Sequence, residues 1–233
     1  MSKTNKIKQK TTGFDILYRV VTAIACVAMY PIFYFTNIFR IGIAHTDISD
    51  LLNKFSEEST LHVTDESISL ARLSEWIDFF SGFTNDDFDF KTGILQNALY
   101  RPVVVAVVFI AIALVLGLVI LGFAIFSNKV KVITALSGAG FLSTIAAYIA
   151  FSFFANPLLA GEVTISELLN ISGIIATAII SLLGEIYVCT LDTAFFGVMF
   201  IMLGICAWSV SVLIVNKSEE KEKAMKEAAR KIR

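Results

Sequence analysis

The chain has 233 residues, of which 56% are hydrophobic and only 17% charged, and its mean hydropathy is +0.76. These proportions exclude an ordinary soluble domain and a disordered chain, and they fit a polytopic membrane protein. The net charge of −1 conceals strong segregation along the sequence, a pattern that reports membrane topology and gives no reason to expect a nucleic-acid partner.

The first ten residues hold Lys3, Lys6, Lys8 and Lys10 and no acid, and segment 1–15 reads as cytoplasmic. Residues 16–37 read as a first transmembrane helix. A secretory leader is the competing reading, because Ala23-Ile24-Ala25-Cys26 loosely resembles a cleavage box. The apolar run nevertheless continues past Cys26 through Val27, Met29, Ile32, Phe33 and Phe35, where a cleaved leader would give way to a polar mature start. Asp15 and Arg19 stand four apart and can pair at the mouth of this helix. Pro31 removes one backbone donor and should kink it. Tyr30, Phe33, Tyr34, Phe35 and Phe39 cluster toward its far end, as an interfacial aromatic belt does.

Segment 38–101 is the main polar stretch, and Ile38 to Tyr100 carries eleven acids against four bases. Two helix-like patterns stand in it. Thr46-Asp47-Ile48-Ser49-Asp50 opens one, with Leu51, Leu52 and Phe55 on its apolar face. Thr64-Asp65-Glu66 opens the other, with acids suited to a helix N-terminus. Leu70, Leu73, Trp76, Ile77 and Phe80 then recur at three- and four-residue steps, and Gly82 can close the helix. An extracellular acidic cap, helical and not β, is therefore expected.

Pro102 to Phe126 is twenty-five residues without a charge, an amide side chain or a hydroxyl. As a helix it is about 37 Å long, more than the roughly 30 Å hydrocarbon core of a bilayer, and a helix apolar on every face has no place on a soluble domain's surface. Residues 102–126 are the second span. Residues 127–131 form a cytoplasmic turn containing Lys129 and Lys131. The third span is 132–155, stopped by Asn156-Pro157. Segment 156–192 reads as an extracellular or partly re-entrant hairpin with helical character, although 171–183 is strongly apolar. The fourth span is 193–215, followed by a basic tail, 216–233, with seven bases against four acids and i,i+4 pairs such as Glu219 with Lys223.

Parity selects four spans over five. Four crossings place the lysine-rich N-terminus, the Lys129/Lys131 turn and the basic tail together on the cytoplasmic side, as the positive-inside rule requires. A fifth span within 173–191 would strand the tail outside. The expected fold is thus an all-α, four-transmembrane-helix bundle in the cell membrane, with a mostly helical cap.

Chemistry is sparse. The second, third and fourth spans hold no ionisable residue at depth, which argues against a transporter coupled through buried carboxylates. Glu185 is the nearest candidate for a ligand or ion contact at the outer mouth, set against a plain solvent-facing role. Asp86, Asp87 and Asp89, with Asn85, offer oxygen donors for a hard cation, but the glycine and closing glutamate of a calcium loop are missing. His45 and His62, the only histidines, are seventeen apart and lack a local metal-binding spacing, leaving pH sensing or a metal as minor options beside a surface role. Cys26, Cys189 and Cys206 show no CxxC spacing and read as apolar packers. No hydrolase, zincin or phosphate-loop motif is found, so neither catalysis nor a cofactor or metal is expected.

Small residues recur on the spans. Ala135, Ala139, Ser143 and Ala147 repeat every four residues, Gly197, Gly204 and Ser211 every seven, and Ala106, Ala113 and Gly117 share a face. In lipid such stripes let helix backbones approach closely, within one chain or between subunits. The layout is shared with tetraspan proteins such as claudins, whose Trp-Gly-Leu-Trp-Cys-Cys type first-loop motif is absent here. The expected role is non-enzymatic: an accessory, assembly or scaffold subunit that self-associates or joins other membrane subunits. An oligomeric channel or transport subunit, with Thr134, Ser137, Thr144 and Ser152 lining a path between protomers, is the alternative. An extracellular ligand or cation sensor is the third. A single cysteine engineered within 217–233 is expected to resist an impermeant thiol reagent on intact cells; labelling from outside would overturn the even number of crossings.

Overall fold

The computed structural model describes residues 13–46, 61–72, 98–127, 129–163 and 183–232. Four helices dominate it: α1 (Gly13–Phe35), α2 (Arg101–Phe126), α3 (Val130–Leu159) and α4 (Thr193–Ile232). All four are long and apolar enough to cross a membrane. Three strands, β1 (Asn37–Thr46), β2 (Leu61–Ser69) and β3 (Leu183–Leu191), form one antiparallel sheet in the order β2-β1-β3.

Among the described residues the sheet corrects the expectation of a helical cap without β structure. The stretch opened by Thr64-Asp65-Glu66 is strand β2, followed by a single 3-10 turn at Leu70–Arg72. The part of the second hairpin expected to be helical includes strand β3. Strand β1, Asn-Ile-Phe-Arg-Ile-Gly-Ile-Ala-His-Thr, alternates apolar with polar or small residues over much of its length, the period of a half-buried strand. Its partners are distant in sequence: Ile41 pairs with Glu66 on one side and with Cys189 on the other. Backbone donors and acceptors along β1 are thus satisfied on both edges, an outcome that local helix propensity cannot anticipate. The first cap helix, with Leu51, Leu52 and Phe55, and Leu73, Trp76, Ile77, Phe80 and Gly82 of the second lie outside the described residues, as does 164–182.

Asn156-Pro157 does not stop α3, which runs on to Leu159. Pro157 costs the last turn one backbone bond, the donor that would reach Phe153 O, yet the helix continues two residues past it. The stop is made by Gly161, at φ 69°. Gly161 N–H donates to Leu158 O (3.2 Å) and Glu162 N–H to Pro157 O (2.9 Å), the paired bonds of a left-handed glycine cap.

Each helix meets two main neighbours: α1 packs on α2 and α4, and α3 on α2 and α4. From the middle of the helices toward the α2–α3 turn, Tyr18, Cys26, Met29, Ile120, Ile133, Val198 and Met202 are buried together. At the sheet end, Ala106, Ile110, Ala147, Phe151 and Phe195 continue into Ile186, Cys189 and Leu191 of β3. The sheet is therefore seated on the helix ends.

A few hydrogen bonds cross between helices. Tyr18 Oη and Ser209 Oγ, both fully buried, are 2.8 Å apart. Tyr30 Oη donates to Leu114 O at 2.7 Å, and Ser143 Oγ to Phe109 O at 2.9 Å. Arg19 reaches across to α2: Nε donates to Ala124 O at 2.7 Å and Nη2 to Ile125 O. A guanidinium at the last carbonyls of α2 complements both the orphan acceptors and the negative end of the helix dipole.

Asp192 joins the sheet to α4. Its N–H donates to Ile38 O (2.8 Å), and its Oδ1 accepts from Thr193 N–H (2.7 Å). Its Oδ2 accepts from Ser67 Oγ of β2 at 3.3 Å. Replacing Ser209 with Ala should remove the buried Tyr18–Ser209 hydrogen bond and lower unfolding free energy by about 1 kcal/mol, while Asp192→Ala should cost a similar amount through the lost helix cap. Reversible unfolding in mixed micelles measures both, and a change below 0.3 of that size in either would contradict the assigned contact.

Candidate functional site

The expected packing residues divide between inner and outer faces. On α3, Ser143 and Ala147 are buried, whereas Ala135 and Ala139 are exposed. Four residues turn a helix by about 400°, so a four-residue repeat drifts some 40° per step and leaves one face within a few turns. The buried line of α3 alternates its steps instead, through Ile133, Ser137, Gly140, Thr144, Ala147 and Phe151. On α2, Ala106, Ala113 and Gly117 are all buried. On α4 the seven-residue repeat holds its face, but that face changes neighbour. A β-carbon at Gly197 would meet Ile32 Cγ2 at 2.8 Å, whereas one at Gly204 would meet nothing within 4 Å, and Ser211 is exposed.

The separation of α1 from α4 below Gly197 opens a groove of about 160 Å³ lined by Val21, Thr22, Ala25, Ile201, Gly204, Ile205 and Trp208. Trp208, one of the lining residues, also packs on Phe14, with ring centroids 6.1 Å apart. The groove is apolar but contains two polar atoms. Thr22 is 1% exposed, and its Oγ1, although near the Tyr18 hydroxyl, makes no bond of hydrogen-bonding geometry. Trp208 Nε1 is buried and likewise has no acceptor. Buried donors without partners are uncommon in folded proteins. By helix rise, Trp208 lies roughly 22 Å along α4 from Thr193 and about 12 Å before Asn216. Ala207 is exposed beside Gly204 and Ser211, so a small-residue strip flanks the groove on the outer surface. Sequence reasoning found Gly204 and Ser211 but not Thr22 or Trp208, which are conspicuous only for the partners they lack.

The four hydroxyls considered for a path between protomers are satisfied within α3. Thr134 donates to Val130 O, Ser137 to Ile133 O, Thr144 to Phe141 O and Ser152 to Ile149 O, and Ser137 and Thr144 are fully buried.

Glu185 lies on β3 where the β1–β3 register slips between Ile43 and His45. His45 of β1 stands directly opposite His62 of β2. Asn85, Asp86, Asp87 and Asp89 lie outside the described residues. Among the described residues no group of three or more His, Cys, Asp or Glu is gathered as for a metal. Cys26 and Cys189 are buried and Cys206 is half-buried with its Sγ near Thr134 O; all three are free thiols. In the tail, Glu222 and Lys226 form an i,i+4 pair; the side chain of Lys223 lies outside the described set.

No family model, curated protein or solved structure matches this chain.

Burial pushes the Cys189 thiol up from 9.0 to about 11. The neutral thiol is then the folded form throughout the neutral range. Its burial supports folding fully below pH 9, and that support is lost as pH rises toward 11, where the unfolded chain gains from ionisation. In a Cys26→Ala/Cys206→Ala background, iodoacetamide at pH 8 should alkylate Cys189 at least tenfold more slowly in the folded protein than after unfolding in SDS, with the gap narrowing above pH 10. Equal rates at pH 8 would contradict the burial.

Proposed function

We propose that this is a non-enzymatic, multi-pass membrane protein that works through contacts between membrane helices, as an assembly or accessory subunit. The observation that carries the proposal is the groove between α1 and α4, with Gly204 open at its floor and the Thr22 and Trp208 donors unpartnered. At membrane depth an acyl chain offers these donors no acceptor. A second helix does, through a hydroxyl or a backbone carbonyl, and Gly204, Ala207 and Ser211 would let its backbone come close. Both termini are placed on the cytoplasmic side and the sheet outside, following the distribution of lysine and arginine. The channel reading draws less support, because its hydroxyls are already engaged within α3.

Gly204→Leu is a discriminating substitution because the added side chain enters open space in the isolated chain. The protein in lipid nanodiscs, examined by subunit-counting photobleaching and mass photometry, should show self-association that Gly204→Leu weakens at least tenfold without lowering the thermal midpoint. A chain that stays monomeric at all densities, or association indifferent to the substitution, would overturn the proposal.

A further inference from the structure

Helix α4 carries two lines of residues at alternating four- and three-residue steps. One runs through Val198, Met202, Ile205, Ser209 and Val212 and is buried in the bundle. The other lies on the opposite side of the helix, through Phe200, Gly204, Ala207, Ser211 and Ile214, every one exposed. Steps averaging about 3.5 residues belong to helices that pair along their length, because they keep one face toward the partner as the two supercoil. Ser211 Oγ donates to Ala207 O at 2.9 Å, so its proton needs no acceptor across the seam.

Beyond Val212 the two lines diverge in character. The inner one turns polar, through Asn216, Glu219, Lys226 and Arg230. The outer one continues at the same steps through Ser218, Lys221, Met225 and Ala228, all exposed, on one unbroken helix. The apolar residues between 217 and 230 are Ala224, Met225, Ala228 and Ala229, and each falls on the outer line or directly beside it. A tail solvated on all sides has no reason to keep its apolar residues in phase with a line begun sixteen or more positions earlier.

We propose that α4 pairs in parallel with α4 of a second copy of this chain, as a two-stranded coil running from Phe200 to Ala228. The proposal rests on the helix-contact reading and adds the partner and the geometry. Copies inserted alike form a two-fold pair, in which each residue of the line meets its own counterpart. Gly204, Ala207 and Ser211 let the backbones approach closely. Charge favours the parallel register. With Ser218 and Met225 at heptad positions a, and Lys221 and Ala228 at d, Lys217 takes g and Glu222 takes e, the positions whose ion pairs cross between parallel strands. Lys217 of each copy therefore faces Glu222 of the other. Glu222 also pairs with Lys226 of its own helix, and a carboxylate has acceptor sites for both. Lys221 can lay its stem along the seam with its ammonium at the rim. Trp208, whose Nε1 has no partner, stands at position e beside Ala207, so the groove opens along the edge of the same pair.

The test uses the full chain in nanodiscs holding two copies. In a Cys26→Ala/Cys189→Ala/Cys206→Ala background, copper–phenanthroline should crosslink Ser218→Cys and Met225→Cys at least tenfold faster than Lys226→Cys and Arg230→Cys, which fall on the far side. In the chain with its cysteines intact, Lys217→Glu and Glu222→Lys should each weaken dimerisation at least twofold by mass photometry, and the double exchange should restore it. Such rescue cannot come from the Glu222–Lys226 pair, which the double variant also lacks. Equal crosslinking at all four positions, or a double exchange no better than either single, would overturn the parallel coil. If self-association still depended on Gly204, the helix-contact reading would survive that result, whereas a chain that stays monomeric would end both.

Discussion

Strand β1 follows α1 after one residue, and strand β3 leads into α4 after one residue. Because β1 and β3 are hydrogen-bonded neighbours, the end of the first helix and the start of the last are tied together by backbone pairing. Asp192 reinforces the joint, bonding to Ile38, to Ser67 and to the start of α4. Much else follows from that tie. Gly197 meets Ile32 beside it, and the groove lies between that contact and the Tyr18–Ser209 bond.

Within the helices the constraint is different. Between helices apolar enough to cross a membrane, side chains in lipid would gain little by leaving it for one another, so contact there would depend on close fit and on a small number of hydrogen bonds. Tyr18 with Ser209, Tyr30 with Leu114, Ser143 with Phe109 and Arg19 with the end of α2 supply such bonds between three helix pairs. Against this economy the unengaged Thr22 and Trp208 stand out. Their setting is a gap between helices, and the small residues next to that gap face outward.

The helices were legible because length and apolarity are local properties of composition. Pro102 to Phe126 can hardly be read otherwise, and α2 begins only one residue earlier. The sheet was less legible because its evidence is distributed. The alternation of Ile41, Gly42 and Ile43 hints at a strand, but its partner Cys189 lies nearly 150 residues away. Asp65 and Glu66 look like a helix start until their register with Gly42 and Ile41 is known. Pro157 attracted a helix stop that Gly161 makes. Of the small-residue stripes, spacing gave membership but not direction: Ala147 turns inward and Ala139 outward on the same helix. The pairing of His45 with His62 required the fold, since neither residue carries a local pattern.

Helix α4 has 40 residues from Thr193 to Ile232 without a break. At 1.5 Å per residue it is about 60 Å long, and the charged part beyond Asn216 projects roughly 24 Å as a continuation of the apolar part. It is a stiff lever with its fulcrum among the other helices. A tilt of about 10° would carry the charged tip some 4 Å sideways by the same geometry. A shift of the strand-anchored end of α4 is thereby linked by one continuous helix to its charged end.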